Sequence, residues 1–414
     1  MFPAYSVALS ALQADSTAID VVGNDLANLN TTGYKATDVQ FEDLMAQSLG
    51  TGQNSAQLGV GVGPVGTAAS YTQGTLTTTN GPTDAAIQGN GFFVVQNAQG
   101  ETLYTRDGAF QVNASGSLIT ATGEAVQGWS AVNGTVNPNG PVGNLTVPAG
   151  ATVPATATTS MGLTVNLNST TAPSASFSAP IQVIDSLGQS HTLSVNFTET
   201  SANNWNYTVT IPAADLQTGG TTTVAKGTLT FNPDGSLKSP ASSASPVSLS
   251  VKGLADGAND MTIAWNLYNS NGSSMITQYD QASGVGNTTQ NGFAAGQIAN
   301  FSLQNGGLLV ANYSNGQQIT VGQLALASIP NPDSLLSVGD NDLQASSTTG
   351  SITVGAANTG GLGQIVAGTL ESSNVDIATE FTKLLTYERS YQAASRVITT
   401  NDQMLQGLVG LIQP

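Results

Sequence analysis

Stepping by seven from Ile377 lands on Leu384, Tyr391, Ile398, Leu405 and Ile412, an apolar residue every time. A second row, Tyr387, Ala394 and Leu408, runs beside it and is interrupted by Asn401, while Glu380, Lys383, Arg389 and Arg396 stand off the seam. The spacing predicts one long amphipathic helix, and at ~1.5 Å per residue it makes a rod about 54 Å long. Such a rod cannot cover its own stripe, so a partner is required. Near the N-terminus Tyr5, Leu12, Ile19 and Leu26 repeat the spacing, with Leu9, Val22 and Leu29 completing the stripe over residues 4–30. Repeats of seven favour left-handed supercoiling, which makes the two chain ends each other's simplest partners; the alternative is two amphipathic helices packed separately on a globular core. Gly23, Gly407 and Gly410 each cost ~1 kcal/mol relative to Ala, so the ends are expected to be weakly helical alone and to order on assembly.

Between those ends the composition is unusual: 8% of the 414 residues are charged, against about 25% in an ordinary globular chain. Ser, Thr, Asn and Gln supply the polarity instead, and with 39% hydrophobic residues and 47 glycines the pattern is that of a β-rich extracellular protein rather than a disordered one. A formal net charge of -17 with 8 basic residues leaves no basic patch for phosphates, which argues against nucleic acid or an anionic membrane as partner. Cysteine is absent, removing disulfides, thiolate catalysis and Cys-ligated metals. Asp15, Asp20 and Asp25 stand where a signal peptide needs an apolar core, so any export is expected to proceed without a cleaved signal. No stretch approaches the ~18 apolar residues of a membrane span.

After the first helix comes Asn24-Asp25-Leu26-Ala27-Asn28-Leu29-Asn30-Thr31-Thr32-Gly33-Tyr34-Lys35, in which Asn28, Asn30 and Gly33 are helix-stop and turn chemistry. Together with Gly89-Asn90-Gly91-Phe92-Phe93-Val94-Val95, Tyr104-Thr105-Arg106-Asp107-Gly108-Ala109-Phe110, Leu370-Glu371-Ser372-Ser373-Asn374-Val375-Asp376, Glu380-Phe381-Thr382, Tyr391-Gln392 and Arg396-Val397-Ile398, this stretch resembles the bacterial flagellar rod and hook family. The departures are small: Ala394 stands where many members have Asn, and Tyr387-Glu388 replaces a more polar pair. Asn24, Ala27, Asn28, Asn30, Gly33 and Tyr34 carry the N-terminal part of the resemblance.

Residues 36–70 read as a linker, helical at most around Phe41 to Met45. Within them Gly61-Val62-Gly63-Pro64-Val65-Gly66 matches a dinucleotide fingerprint, but no helix follows and no βαβ unit surrounds it. From Tyr71 onward short strands alternate with turns: Phe92 to Val95, Thr102 to Thr105, Leu118 to Thr120, then Ile181 to Asp185, His191 to Phe197, Trp205 to Ile211, Thr228 to Phe231, Met261 to Tyr268 and Ile276 to Tyr279. Strands Phe301 to Leu303, Leu308 to Tyr313 and Gln317 to Ala327 then return to the first β unit. The expected class is α+β, mostly β: terminal helices forming a coiled-coil pair, with two nested antiparallel β domains, sandwich- or barrel-like, inserted between them. The corresponding division is a helical core of 1–35 and 368–414, linkers of 36–70 and 355–367, an inner β domain of 71–144 and 285–354, and an outer one of 145–284.

Chemistry is sparse. His191 is the sole histidine, and with no G-x-S-x-G elbow it reads as a packing or surface residue of a strand. One His and no Cys argue against structural zinc; Asp256 to Asp260 and Asp340 to Asp342 lack calcium-loop spacing and read as turns. Arg106 and Asp107 read as a turn with a local ion pair. Neither catalytic residue, cofactor nor metal is expected. The resemblance implies a subunit that polymerises with copies of itself into a curved, flexible tube outside the cell, a universal joint between motor rod and filament. By the same resemblance its partners are the distal rod, the hook cap, the hook-filament junction proteins and the flagellar type III export apparatus, with no nucleic acid and no membrane insertion. Alternatives are a distal rod subunit, disfavoured by the large insert, and a secreted β-rich adhesin, which leaves the terminal heptads unused.

Overall fold

The structure is a computed structural model that describes residues 3–44, 47–49, 56–63, 66–147, 150 and 152–412. It divides into two compact units, 1–149 with 300–311 and 318–414, and 150–299 with 312–317.

In the first unit, helix α1 runs Pro3–Ala27 and helix α2 runs Ile377–Ile412, and the two pack together. Asp376 starts α2 by accepting the Thr379 backbone N–H at 2.7 Å, a carboxylate cap on free amides. α1 stops at Ala27, short of the heptad pattern; Asn28 turns the chain, its side-chain amide donating to the Asn24 carbonyl at 3.0 Å.

The helix pair does not bury the apolar rows as the heptads imply. On α1 the buried positions are Ala8, Ala14, Asp15, Ala18, Val22 and Asp25; on α2 they are Glu380 and Asn401, with Tyr387 and Ala394 half-buried between them. Small residues let two helix backbones approach closely, and the larger side chains are displaced to the flanks. Leu12, Ile19, Leu26, Leu384 and Ile398 are therefore only half-buried, while Tyr5, Ile377, Tyr391 and Leu405 stay exposed. Leu408 and Ile412 lie within α2, their side chains outside the described residues. Of the expected seam residues whose side chains are described, Val22 alone is fully buried.

Residues 36–70 correct the linker reading. No helix forms around Phe41, and Met45 lies outside the described residues. Strand Thr37–Gln40 pairs antiparallel with Gly66–Ala69, and Gln47–Leu49 with Ala56–Leu58. The Phe41 ring sits 5.8 Å from that of Tyr387 on α2. Tertiary pairing thus overrides a locally weak signal.

The β part of this unit is an antiparallel sheet in which Gln318–Leu324, Ala125–Val132, Phe92–Gln96, Thr102–Thr105, Asp342–Gln344 and Leu336–Gly339 lie side by side. Register places Val126 opposite Val95, Val95 opposite Leu103, and Tyr104 opposite Leu343. Phe92 to Val95 are all buried, on both faces, because Phe93 and Val95 join one core with Phe110 and Leu324 while Phe92 and Val94 join another with Trp129 and Tyr104.

The second unit is a sandwich. One sheet is an antiparallel meander of Ser176–Ile184, Ser190–Ser201, Asn204–Thr210, Thr223–Phe231 and Leu237–Ser239; burial alternates residue by residue along its strands, as a pleated surface with one covered face requires. The other sheet holds Val247–Val251, Met261–Asn266, Ser160–Asn168, Ile276–Tyr279 and Gly284–Gln290. It is not all antiparallel as expected, since Ser160–Asn168 pairs parallel with Met261–Asn266 and with Ile276–Tyr279. Between the sheets lie Phe197, Trp205, Tyr207 and Trp265, the last two rings edge-to-face at 5.2 Å. His191 is a further correction, being buried among carboxylates rather than apolar neighbours.

Candidate functional site

Motifs far apart in the sequence meet at the base of the helix pair, around Glu371, whose side chain is fully buried. Its strand, Thr369–Glu371, pairs with Leu76–Thr78. Lys35 Nζ donates to Glu371 Oε1 at 2.6 Å, Arg106 Nη1 to Oε2 at 3.2 Å, and the Gly74 backbone N–H to Oε1 at 2.9 Å. Lys35 also donates to the Thr72 carbonyl and Arg106 to that of Gly89, at 2.8 and 2.9 Å. The Arg106 guanidinium lies over the Phe92 ring, 5.2 Å from its centroid. Burial pushes the Lys35 and Arg106 pKa values down, and Glu371 pulls both back up. Arg106 is not in a local turn pair with Asp107, as its neighbourhood in sequence implied; its partner lies 265 residues on.

The N-terminal motif wraps the same point. Gly33 turns at φ +72 and packs its face on the backbone of Arg106 and Asp107, where a Cβ would lie 2.7 Å from the Arg106 carbonyl carbon and the Asp107 nitrogen; its N–H donates to the Glu371 carbonyl at 2.7 Å. Gly33→Ala is expected to cost ~1–3 kcal/mol through φ strain and displacement of that turn, read as a fall in the melting temperature of the first unit. Tyr34 donates to Asp25 Oδ1 at 2.8 Å and receives a hydrogen bond from Asn24 at 2.9 Å, while the Thr37 N–H donates to Asp25 Oδ2 at 3.0 Å. Burial raises the Asp25 pKa against these donors. Asn374 clamps the other side, accepting from the Ala36 N–H at 2.7 Å and donating to the Ser70 carbonyl at 2.8 Å. Lys383 bridges Asp38 at 2.9 Å and Glu380 at 2.8 Å, tying α2 to the strand after the motif. Thus Asn24, Asn28, Gly33 and Tyr34 converge here, whereas Ala27 and Asn30 make no side-chain hydrogen bond among the described residues. Asp25, Lys35, Glu371 and Asn374 lay inside the quoted motifs without being singled out; their signal was charge or amide placed beside turn glycines.

At the edge of this region Asp342 sits opposite Thr105 in the sheet. Burial, with Glu124, Asp340 and Asp107 nearby, raises its pKa to about 7. The folded protein therefore keeps this proton up to about pH 7, while an unfolded chain loses it near the ordinary aspartate value of 3.8; the stability this group contributes is fully present below the lower value and is lost as pH rises between the two. Asp342→Asn is expected to raise the melting temperature at pH 8 and flatten its fall between pH 4 and 7, checked by thermal scans across that range.

These contacts join two helix ends, a hairpin and a sheet at one point. The helices, in contrast, leave apolar side chains in solvent on several sides of α2, at Ile377, Phe381, Leu385, Tyr391, Val397, Met404 and Leu405. No helix among the described residues is long and apolar enough to cross a membrane.

Comparison with known proteins agrees with this layout. Residues 6–35 match the flagella basal body rod protein family, 86–167 the flagellar hook protein FlgE/F/G D1 domain, 153–293 the flagellar basal body protein FlaE D2 domain, and 366–411 the flagellar basal body rod FlgEFG protein C-terminal family. The flagellar hook protein FlgE of Escherichia coli is 32% identical over 99% of this chain and 100% of its own length; that of Treponema pallidum is 33% identical over 97% and 98%. In fold, the crystal structure of Helicobacter pylori flagellar hook protein FlgE2 matches 72% of this chain and all of its own with a TM-score of 0.51 at 15% identity.

Proposed function

The chain belongs to the flagellar hook protein family and is a structural subunit rather than an enzyme, and from that premise we propose how its parts divide the labour. The terminal helices are the polymer contacts, with Tyr5, Leu12, Ile19, Leu26, Ile377, Leu384, Tyr391, Ile398, Leu405 and Ile412 facing neighbouring copies. The junction around Glu371 transmits load from helices to β domains. The sandwich, edged by uncharged Ser, Thr and Asn, slides against its neighbours as the tube bends, forming the joint between motor rod and filament outside the cell. The distal rod, cap and junction proteins meet its ends, and the type III export apparatus delivers it.

The observation that carries this reading is the apolar surface distributed round α2, left uncovered by α1. Electron microscopy of the purified chain at high concentration is expected to show tubes, and a chain lacking residues 371–414 none. A full-length chain that stays monomeric at every concentration would contradict it.

A further inference from the structure

The sandwich unit buries the chain's sole histidine in a setting that packing does not call for. His191 lies on the strand Ser190–Ser201 with 5% of its surface exposed, among three carboxylates from separate loops. Asp185 comes from the turn after strand Ser176–Ile184, Asp215 from the short 3-10 turn Ala213–Asp215, and Asp256 from the loop between Val247–Val251 and Met261–Asn266. His191 Nδ1 is 3.2 Å from Asp215 Oδ2; Nε2 is 3.1 Å from Asp185 Oδ2 and 3.6 Å from Asp256 Oδ2.

Both carboxylates that face Nε2 are held from behind. Asp185 Oδ1 accepts the N–H groups of Leu187 and Gln189 at 2.8 and 2.9 Å, and Asp256 Oδ1 that of Ala258 at 3.0 Å. In each, one oxygen is tied to backbone and the other is aimed at the imidazole, so neither can turn away. No Lys or Arg pairs with any of the three among the described residues. A proton on the ring offsets one of three negative charges, and buried charge without compensation is costly.

A carboxylate faces each ring nitrogen, Asp215 at Nδ1 and Asp185 at Nε2, so a cation that takes the place of the proton at Nε2 leaves the ring with its N–H at Nδ1, donated to Asp215. A metal-bound histidine shows that arrangement, its far N–H donated to a carboxylate. Bonds of ~2.0–2.1 Å round a tetrahedral centre place ligands ~3.3 Å apart, bracketed by the 3.1 and 3.6 Å separations, and the three ligand atoms all lie within 4.8 Å of one another. We propose that His191 Nε2, Asp185 Oδ2 and Asp256 Oδ2 hold a zinc-class divalent cation that staples these loops together, with Asp215 as the residue that orients the ring and water completing the shell. A nitrogen ligand favours zinc-class ions over calcium or magnesium. In the sequence, the absence of cysteine and the presence of a single histidine spoke against structural zinc. The fold supplies the donors from segments too far apart for any spacing rule to register.

The test uses the full-length chain, stripped of metal and kept dilute enough to remain monomeric. Calorimetric titration with zinc is expected to show one equivalent bound per chain, weakened at least 10-fold in Asp256→Asn and 10- to 100-fold in Asp215→Asn. Because the chain has one histidine, the ring nitrogen NMR spectrum is unambiguous: zinc should move Nε2 into the metal-bound range while Nδ1 stays protonated. Circular dichroism and melting of the metal-free variants separate loss of ligand from loss of fold, and should either variant not fold, the wild-type ring spectrum decides alone. Absence of a saturable equivalent, binding unaltered in Asp256→Asn, or a ring protonated at both nitrogens in excess zinc would each overturn the assignment.

Discussion

Glu371→Gln is expected to lower the stability of the first unit by about 3–5 kcal/mol, the range found when one member of a buried ion pair is removed. The substitution keeps the shape of the side chain and deletes its charge. Lys35 and Arg106 are then left nearly excluded from water with no carboxylate between them, and the Gly74 N–H keeps only a weaker, neutral acceptor. Calorimetry reads the result. For a unit of this size each kcal/mol moves the melting temperature by ~2–4 °C, so its transition should fall by roughly 10 °C while that of the sandwich, which contributes no residue to the junction, stays in place. A shift of under about 2 °C would mean that water reaches the three charges and that the junction is held by its backbone hydrogen bonds. Because Glu371, Lys35 and Arg106 belong to three separate motifs, Lys35→Met combined with Glu371→Gln should cost less than the two singles added, which is how shared partners differ from independent sites.

Phe381→Asp or Leu385→Asp should leave the monomer intact and abolish tubes. These side chains are 51% and 52% exposed in the single chain, and surface changes of that kind move monomer stability by only ~0.5 kcal/mol. If α2 is enclosed by neighbouring copies, the same aspartate becomes a buried, unpaired charge in every subunit, at a cost of several kcal/mol each. At ~1.4 kcal/mol per tenfold change in an equilibrium constant, the concentration needed for assembly rises roughly 100-fold or more. Sedimentation and electron microscopy at matched concentrations check it, with melting curves of the monomers as the control for folding. Tubes of normal yield from either variant would show that these faces of α2 point to solvent in the polymer too. Leu384→Asp and Ile19→Asp probe half-buried positions flanking the helix contact and should add a loss of monomer stability to the loss of assembly.

Much of the architecture could be read from residue spacing. The heptads from Ile377 to Ile412 placed α2 at the bounds it adopts, because a seven-residue apolar period over a long segment is compatible with little else. Alternation from Ile181 to Asp185 and from His191 to Phe197 likewise located strands of the meander, since one face of a pleated sheet must be covered. Residues 36–70 were opaque for the opposite reason: their strands exist through pairing with segments some distance along the chain, and polar, glycine-rich stretches carry no period of their own.

Residue order alone therefore established that long terminal helices flank a β-rich, sparsely charged, disulfide-free middle, since hydrophobic period and composition are local properties that every fold of this chain must honour. Three-dimensional packing settled which residues those elements spend on each other. α1 buries Ala8, Ala14, Ala18 and Val22, and the larger apolar residues of the heptad rows stay half-buried or exposed. Glu371 drew Lys35 and Arg106 across the chain, and His191 gathered carboxylates from three loops. Coulomb forces and close packing depend on distance in space rather than separation along the chain, and that distance exists only once the chain has closed on itself.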